Sequence, residues 1–213
     1  MNKLFFIFIM IITLGCNDAT NKIPTNFDFG KTENGSYTNS YFGLNVKFNP
    51  EWAVQNEQQV NNIIESGSQL MSGDDPYLNA AVEAAKVNTA YLLTVFKHQL
   101  GAAVEFNPSF MIIAENTENL PGIKVGKDYL YHAKKMLTQT QMGYEFEKDM
   151  AEKRIDSELF HTLIASLDLG GKTITQEYNT TVKNGFSLSF VCSYTDEDER
   201  AELFSIIDNI KFD

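Results

Sequence analysis

Histidines, cysteines, serine nucleophiles and paired carboxylates are the groups that hold metals, attack carbonyls or move protons. The sequence carries three histidines, His98, His132 and His161. They fall in three different predicted elements, with no pair at metal-ligand spacing, so neither a zinc site nor a catalytic histidine is expected. Its two cysteines are Cys16 and Cys192. Cys192 alternates with Phe186, Leu188 and Phe190 on one face of a strand, which predicts a buried, inert thiol. A serine nucleophile would want a strand-to-helix elbow, but Glu65-Ser66-Gly67-Ser68 lacks the first glycine and lies inside a helical pattern. Asp74 and Asp75, and the run Asp196, Glu197, Asp198 and Glu199, stand at predicted helix starts, where negative charge complements the helix dipole. Neither cluster has the spacing of a calcium loop. Gly170-Gly171 falls between two strands and precedes no helix, which makes it a turn and not a phosphate cradle. The aromatic content of 12% is high. Tyr91, Tyr129, Tyr131, Tyr144 and Tyr178 are expected to gather at one edge of a sheet, mostly for packing, with a hydrophobic groove for a lipid, peptide or protein partner as the sharper alternative. No catalytic residue, metal site or cofactor is expected, and the chain is not expected to be an enzyme.

Cys16 is the residue with the most specific context. The opening MNKLFFIFIMIITLGC has one cation, Lys3, then an apolar run over residues 4–14, then Gly15 and Cys16. This is the order of an export signal, residues 1–15, with a small residue at the cleavage point. The run is too short for a hydrocarbon core that needs about 20 residues. A small residue directly before a cysteine resembles the bacterial lipobox, in which the cysteine thiol takes a diacylglycerol and becomes the new N-terminus. The sequence departs from that pattern at Thr13, where a large aliphatic residue usually stands, and places Leu14 one position later. The expectation is a lipidated Cys16 that tethers the domain to a membrane in the cell envelope. An ordinary secretory signal is the alternative, and both exclude the cytoplasm.

The formal net charge of -11 argues against nucleic acid as a partner, because a polyanion needs a basic surface. Hydrophobic residues at 43% and charged residues at 21% are ordinary globular values. With Cys16 acylated, a single thiol remains and no disulfide framework is available. Residues 16–39, rich in Asn, Thr, Asp and Gly, are expected to form a flexible tether, and residues 40–213 one domain. Within it, Leu44, Val46 and Phe48 share one face of a strand that Asn49-Pro50 stops. Residues 55–71 place Val60, Ile63, Ile64, Gly67, Leu70 and Met71 at helical spacing, and a second helix begins near Pro76. Residues 89–99 and 109–116 read as two strands, and residues 127–141 as a third helix with Leu130, Ala133, Met136, Leu137 and Thr140 on its stripe. Four strands follow, the last two joined at Asn184-Gly185, a type I′ hairpin signal. A closing helix has Thr195 and Asp198 as its capping box and Leu203, Ile206, Ile207 and Ile210 as its buried stripe. The element order lacks a βαβ alternation, so the fold class is α+β: an antiparallel β-sheet with helices packed on its faces.

Three pieces together, YFGLNVKFNPEW, the middle helix before a run of antiparallel strands, and NGFSLSFVCSYTDEDERAELFSIIDNIKF, resemble the PsbP-like α/β/α sandwich domains. That family is named for an extrinsic subunit of photosystem II and includes many bacterial lipoproteins. Trp52 after Asn49-Pro50 resembles the family's proline-tryptophan end to the opening strand. The resemblance implies a fold and a compartment and no catalytic residue. The implied function is a membrane-anchored, extracytoplasmic accessory domain that interacts with a protein partner of unknown identity. The alternative is a carrier that binds an apolar small molecule or lipid between helix and sheet.

Overall fold

The computed structural model describes residues 23–213. The export signal and Cys16 lie outside the described residues. Among the described residues twelve strands and four helices follow one another: β1 (Lys31–Glu33), β2 (Ser36–Asn39), β3 (Leu44–Lys47), β4 (Ala53–Val54), α1 (Glu57–Ser72), α2 (Pro76–Lys86), β5 (Thr89–Phe96), β6 (Ser109–Asn116), α3 (Gly126–Gln139), β7 (Glu145–Phe146), β8 (Ala151–Ile155), β9 (Glu158–Asp168), β10 (Thr173–Lys183), β11 (Phe186–Tyr194), α4 (Glu197–Asp208) and β12 (Lys211–Phe212). The large sheet runs β4-β5-β6-β11-β10-β9-β7, with β8 also paired to β9, and the small one β1-β2-β3-β12. Every pairing is antiparallel. The α+β expectation is met.

The large sheet is covered on both faces, which explains why β6 and β11 are buried along their whole length. On one face α1 and α3 lay Val60, Ile64, Leu130, Ala133 and Leu137 over Met111, Ile113, Leu163, Tyr178 and Val191. On the other, α4 and the small sheet lay Leu203, Ile206, Leu44 and Val46 over Ile112, Phe160, Leu188, Phe190 and Cys192. Alternation along each strand divides its side chains between these two cores. Phe160 and Phe190 stack at 5.1 Å in the second core.

Local chemistry sets the joints. Asn184 and Gly185 both take positive φ, 53° and 81°, in the turn between β10 and β11. Asp75 caps α2 by accepting the backbone N–H of Tyr77 and Leu78, with Pro76 at the first helical position. α3 sits tightly on β10 because Gly126 has no side chain: a Cβ there would lie 1.8 Å from the Thr180 carbonyl oxygen.

Four expectations are corrected. The tether expected over residues 16–39 is ordered from residue 23 onward. Phe27 is buried, and β1 and β2 form a hairpin through Asn34 and Gly35, the same turn chemistry as the one read correctly at residues 184–185. The capping box of α4 is displaced by one residue: Asp196 accepts the Glu199 N–H, and the Glu199 carboxylate accepts the N–H and the hydroxyl of Thr195. Ile210 is buried beyond the end of α4, and the chain continues into β12, which pairs with β3. Leu70, placed on the buried stripe of α1, is exposed.

Candidate binding cleft

The residues with catalytic potential do not meet. His132 is exposed on α3 beside Tyr131. The backbone of His98 is fixed by the Asn107 side-chain amide. His161 is buried in β9 at 3.6 Å from Glu152. Among the described residues no three His, Cys, Asp or Glu side chains gather where a metal ion would sit. Cys192 is fully buried, and burial pushes its thiol far above the usual range. The Ser66 hydroxyl donates to the Asn62 carbonyl within α1. Gly170 and Gly171 form the turn between β9 and β10, where the Asp168 carboxylate accepts the Gly171 N–H.

Four of the five tyrosines contribute to the α1/α3 face of the large sheet rather than to an edge, and Tyr131 is exposed instead. Tyr144 and Tyr178 both donate to Gln176 Oε1. Tyr129 donates to Glu115 Oε2 at 2.8 Å. Glu115 lies on β6 in the same alternation as Met111 and Ile113, so its carboxyl stands among apolar side chains. Burial pushes that carboxyl up to about 8, against the opposing effect of the Tyr129 hydrogen bond. At neutral pH it is a neutral acid held by a phenol.

Among the described residues, a sizeable opening lies at the edge of this packed face. Between α1 and the outer edge of β5 lies a cleft of about 620 Å³, a volume typical of small-molecule sites, which occupy roughly 300–1,000 Å³. Its origin is the brevity of β4, which pairs with β5 only at Val95 and Phe96. Beyond Val54 no strand among the described residues runs beside the first half of β5. The chain instead turns at Asn56, whose side chain accepts the Gln59 N–H while Gln59 answers to the Asn56 N–H, and rises into α1. β5 also carries a bulge between Tyr91 and Leu93, which re-aims its side chains locally. Val60 and Ile64 of α1 and Leu92 and Leu93 of β5 supply apolar walls. Phe29, from the segment expected to be a tether, closes one side together with Thr32.

Much of the rest of the lining is polar or charged, with Glu57, Asn61, Glu65, Lys86 and Thr89 among it. At the β4 end, the Gln55 N–H donates to the Thr94 carbonyl at 2.9 Å. Gln55 Nε2 donates to the Ala53 carbonyl at 2.6 Å; that carbonyl only accepts, which fixes the amide orientation. Gln55 Oε1 and Thr94 Oγ1 then have no hydrogen-bond partner among the described residues, although both side chains are more than nine-tenths buried. At the rim, Lys86 is bound to Glu65 at 3.1 Å and to Glu83. Burial works against its charge, but the two carboxylates hold its pKa above the usual lysine value.

The cleft was anticipated in position, between helix and sheet, but not in its residues. Gln55 and Thr94 carry no sequence motif, and their pairing follows from a two-residue strand that no periodicity reveals. Glu115 had a readable signal, a carboxylate on the apolar phase of a buried strand.

An antiparallel α+β sandwich with a cleft at one sheet edge is the class that these features define. No known family model and no curated protein matches the chain. Among solved structures, the fold is similar to the solution structure of cyanobacterial PsbP (CyanoP) from Synechocystis sp. PCC 6803, with a TM-score of 0.50 and 12% identity over 84% of this chain and 91% of that one. It is also similar to LpqN, involved in cell envelope biogenesis of Mycobacterium tuberculosis, with a TM-score of 0.43 and 15% identity over 78% of this chain and 79% of that one. The fold is PsbP-like, as the sequence resemblance implied.

Proposed function

We propose that this chain is a non-enzymatic accessory domain of the cell envelope, held at a membrane by a lipid on Cys16, and that it acts as a carrier of an apolar small molecule in the cleft between α1 and β5. The observation that supports the carrier reading over a purely protein-binding one is the cleft itself, with Val60 and Ile64 on one wall and Leu92 and Leu93 on the other. No helix among the described residues is long and apolar enough to cross a membrane, so membrane attachment rests on the sequence around Cys16. Phe29 of the cleft wall follows Cys16 by thirteen residue steps, at most about 45 Å of chain, so a lipid on Cys16 would keep the cleft near the bilayer, where apolar ligands are concentrated.

Two measurements test the halves separately. Labelled palmitate is incorporated by the wild type and not by Cys16→Ala if Cys16 carries the lipid; equal incorporation removes the anchor. Native mass spectrometry of the domain purified without detergent shows a bound apolar ligand that is lost in Asn61→Trp, a substitution at an exposed lining position that plugs the cleft and spares the core. Ligand retention in that variant removes the carrier reading.

A further inference from the structure

We infer that the outer face of α3 is a docking surface for an anionic lipid bilayer, on which the domain lies with α3 against the head groups. The chain as a whole is acidic, but its charge is unevenly distributed. Of the four helices among the described residues, α3 alone carries more cations than acids, with Lys127, Lys134 and Lys135 against Asp128. Lys124 stands two residues before it. Gly126, Leu130, Ala133 and Leu137 form its buried side. Opposite them at helical spacing stand Lys127, Tyr131, Lys135 and Thr138, all exposed. The Asp128 carboxylate is turned to the start of the helix, where it accepts the N–H of Lys124 and Val125.

Lys124, Lys127 and Lys135 have no carboxylate at ion-pair distance among the described residues, whereas Lys86, Lys97, Lys172, Lys183 and Lys211 are each ion-paired. Between these free cations lies apolar surface that the core does not use: Tyr131 is 64% exposed and Val125 is 44% exposed. A phenol flanked by lysines is matched to a bilayer interface, where the ring sits among the head groups and the cations meet lipid phosphates. Distance decides whether the acidic remainder of the chain cancels that attraction. The most acidic helix, α4, with Glu197, Asp198, Glu199, Glu202 and Asp208 against Arg200, packs on the far face of the large sheet. Packed layers stand about 10 Å apart, which puts α4 on the order of 20 Å behind α3. At physiological salt the screening length is about 8 Å, so the lysines act on the lipid charge at close range and the α4 carboxylates are screened from it.

The experiment uses residues 17–213, which hold every described element and lack the apolar leader and any lipid. The protein is sedimented with vesicles of phosphatidylcholine alone or of phosphatidylcholine mixed with phosphatidylglycerol. Binding is expected to the phosphatidylglycerol vesicles, to be at least tenfold weaker to the neutral ones, and to be lost at high salt. Lys127→Gln with Lys135→Gln should weaken it roughly 25-fold, about fivefold for each lysine. Lys31→Gln with Lys47→Gln changes the net charge equally, at exposed positions of the small sheet, and should leave binding unchanged. Tyr131→Trp reads the face directly, because its emission should shift to the blue on anionic vesicles against the constant signal of buried Trp52. Circular dichroism melting confirms that the variants fold. No preference for anionic vesicles, equal losses in the two double variants, or no emission shift in Tyr131→Trp overturns the docking face. Binding to soluble polyglutamate and not to vesicles would assign the face to an acidic protein and overturn it as well.

Discussion

Glu115→Gln should abolish a specific loss of stability between pH 6 and pH 8. In the folded protein the carboxyl is buried and raised to about 8, whereas a carboxyl in an unfolded chain titrates near its model value of 4.5. The folded state therefore retains a proton that the unfolded state releases, and stability is greatest below pH 4.5 and falls as pH rises toward 8. With one pKa unit worth about 1.4 kcal/mol, the penalty accumulates to about 2 kcal/mol at pH 6 and about 4 kcal/mol at pH 8. The wild type should thus lose on the order of 2 kcal/mol between those two values from this group, a drop in Tm of roughly 4–8 °C for a domain of this size. Glutamine keeps an acceptor for the Tyr129 hydroxyl but cannot ionise. Urea melts of both proteins at pH 6, 7 and 8 read the difference directly. Glu177, also raised by burial above all, contributes a slope of the same sign that persists in both proteins and cancels in the comparison. Parallel pH profiles for wild type and variant would refute the reasoning, because they would mean that Glu115 ionises freely in the folded state.

Gly126→Ala is expected to destabilise the domain by about 1–3 kcal/mol or more, as overpacking does, because the new Cβ would meet the Thr180 carbonyl oxygen and lift α3 from β10; thermal melts check it, and an unchanged Tm contradicts the close approach. Asp196→Ala removes the N-cap of α4 and should cost about 1 kcal/mol, read as a shift of a few degrees in Tm that Asp196→Asn largely restores. The Cys192 thiol is expected to stay inert to a thiol-specific reagent in the folded protein and to react only at the rate of unfolding, since it is fully buried and its pKa is raised.

Elements whose burial follows a single period were legible in the sequence. β11 and the stripe Leu203, Ile206 and Ile207 of α4 appear where the spacing placed them. So does the Asn184-Gly185 turn, because two long strands flank it and β11 alternates Phe186, Leu188, Phe190 and Cys192. Asn34-Gly35 offers the same turn chemistry, but β1 is wholly exposed, so no hydrophobic alternation pointed to a strand there. β4 and β12 are two residues each, too short to carry a period, and exist only because a neighbouring strand offers hydrogen bonds. The cleft depends on that kind of element, which is why its residues were invisible while its general place was not.

The difference between the two long helices on one face of the large sheet gives the cleft its meaning. α3 closes on the sheet: Gly126 admits the Thr180 carbonyl, and Ala133 and Leu137 are completely buried. α1 buries Val60 and Ile64 against the same face, yet it stands off the edge of β5 and leaves Gln55 Oε1 and Thr94 Oγ1 buried without partners. A buried polar atom without a hydrogen bond costs about 1–3 kcal/mol, a large share of a net stability that is only about 5–15 kcal/mol. Leucine at position 55 or valine at position 94 would remove that cost at a stroke. An apolar ligand that fills the cleft should raise the Tm of the wild type by mass action and leave that of Asn61→Trp unchanged; equal shifts in the two proteins would place the ligand elsewhere.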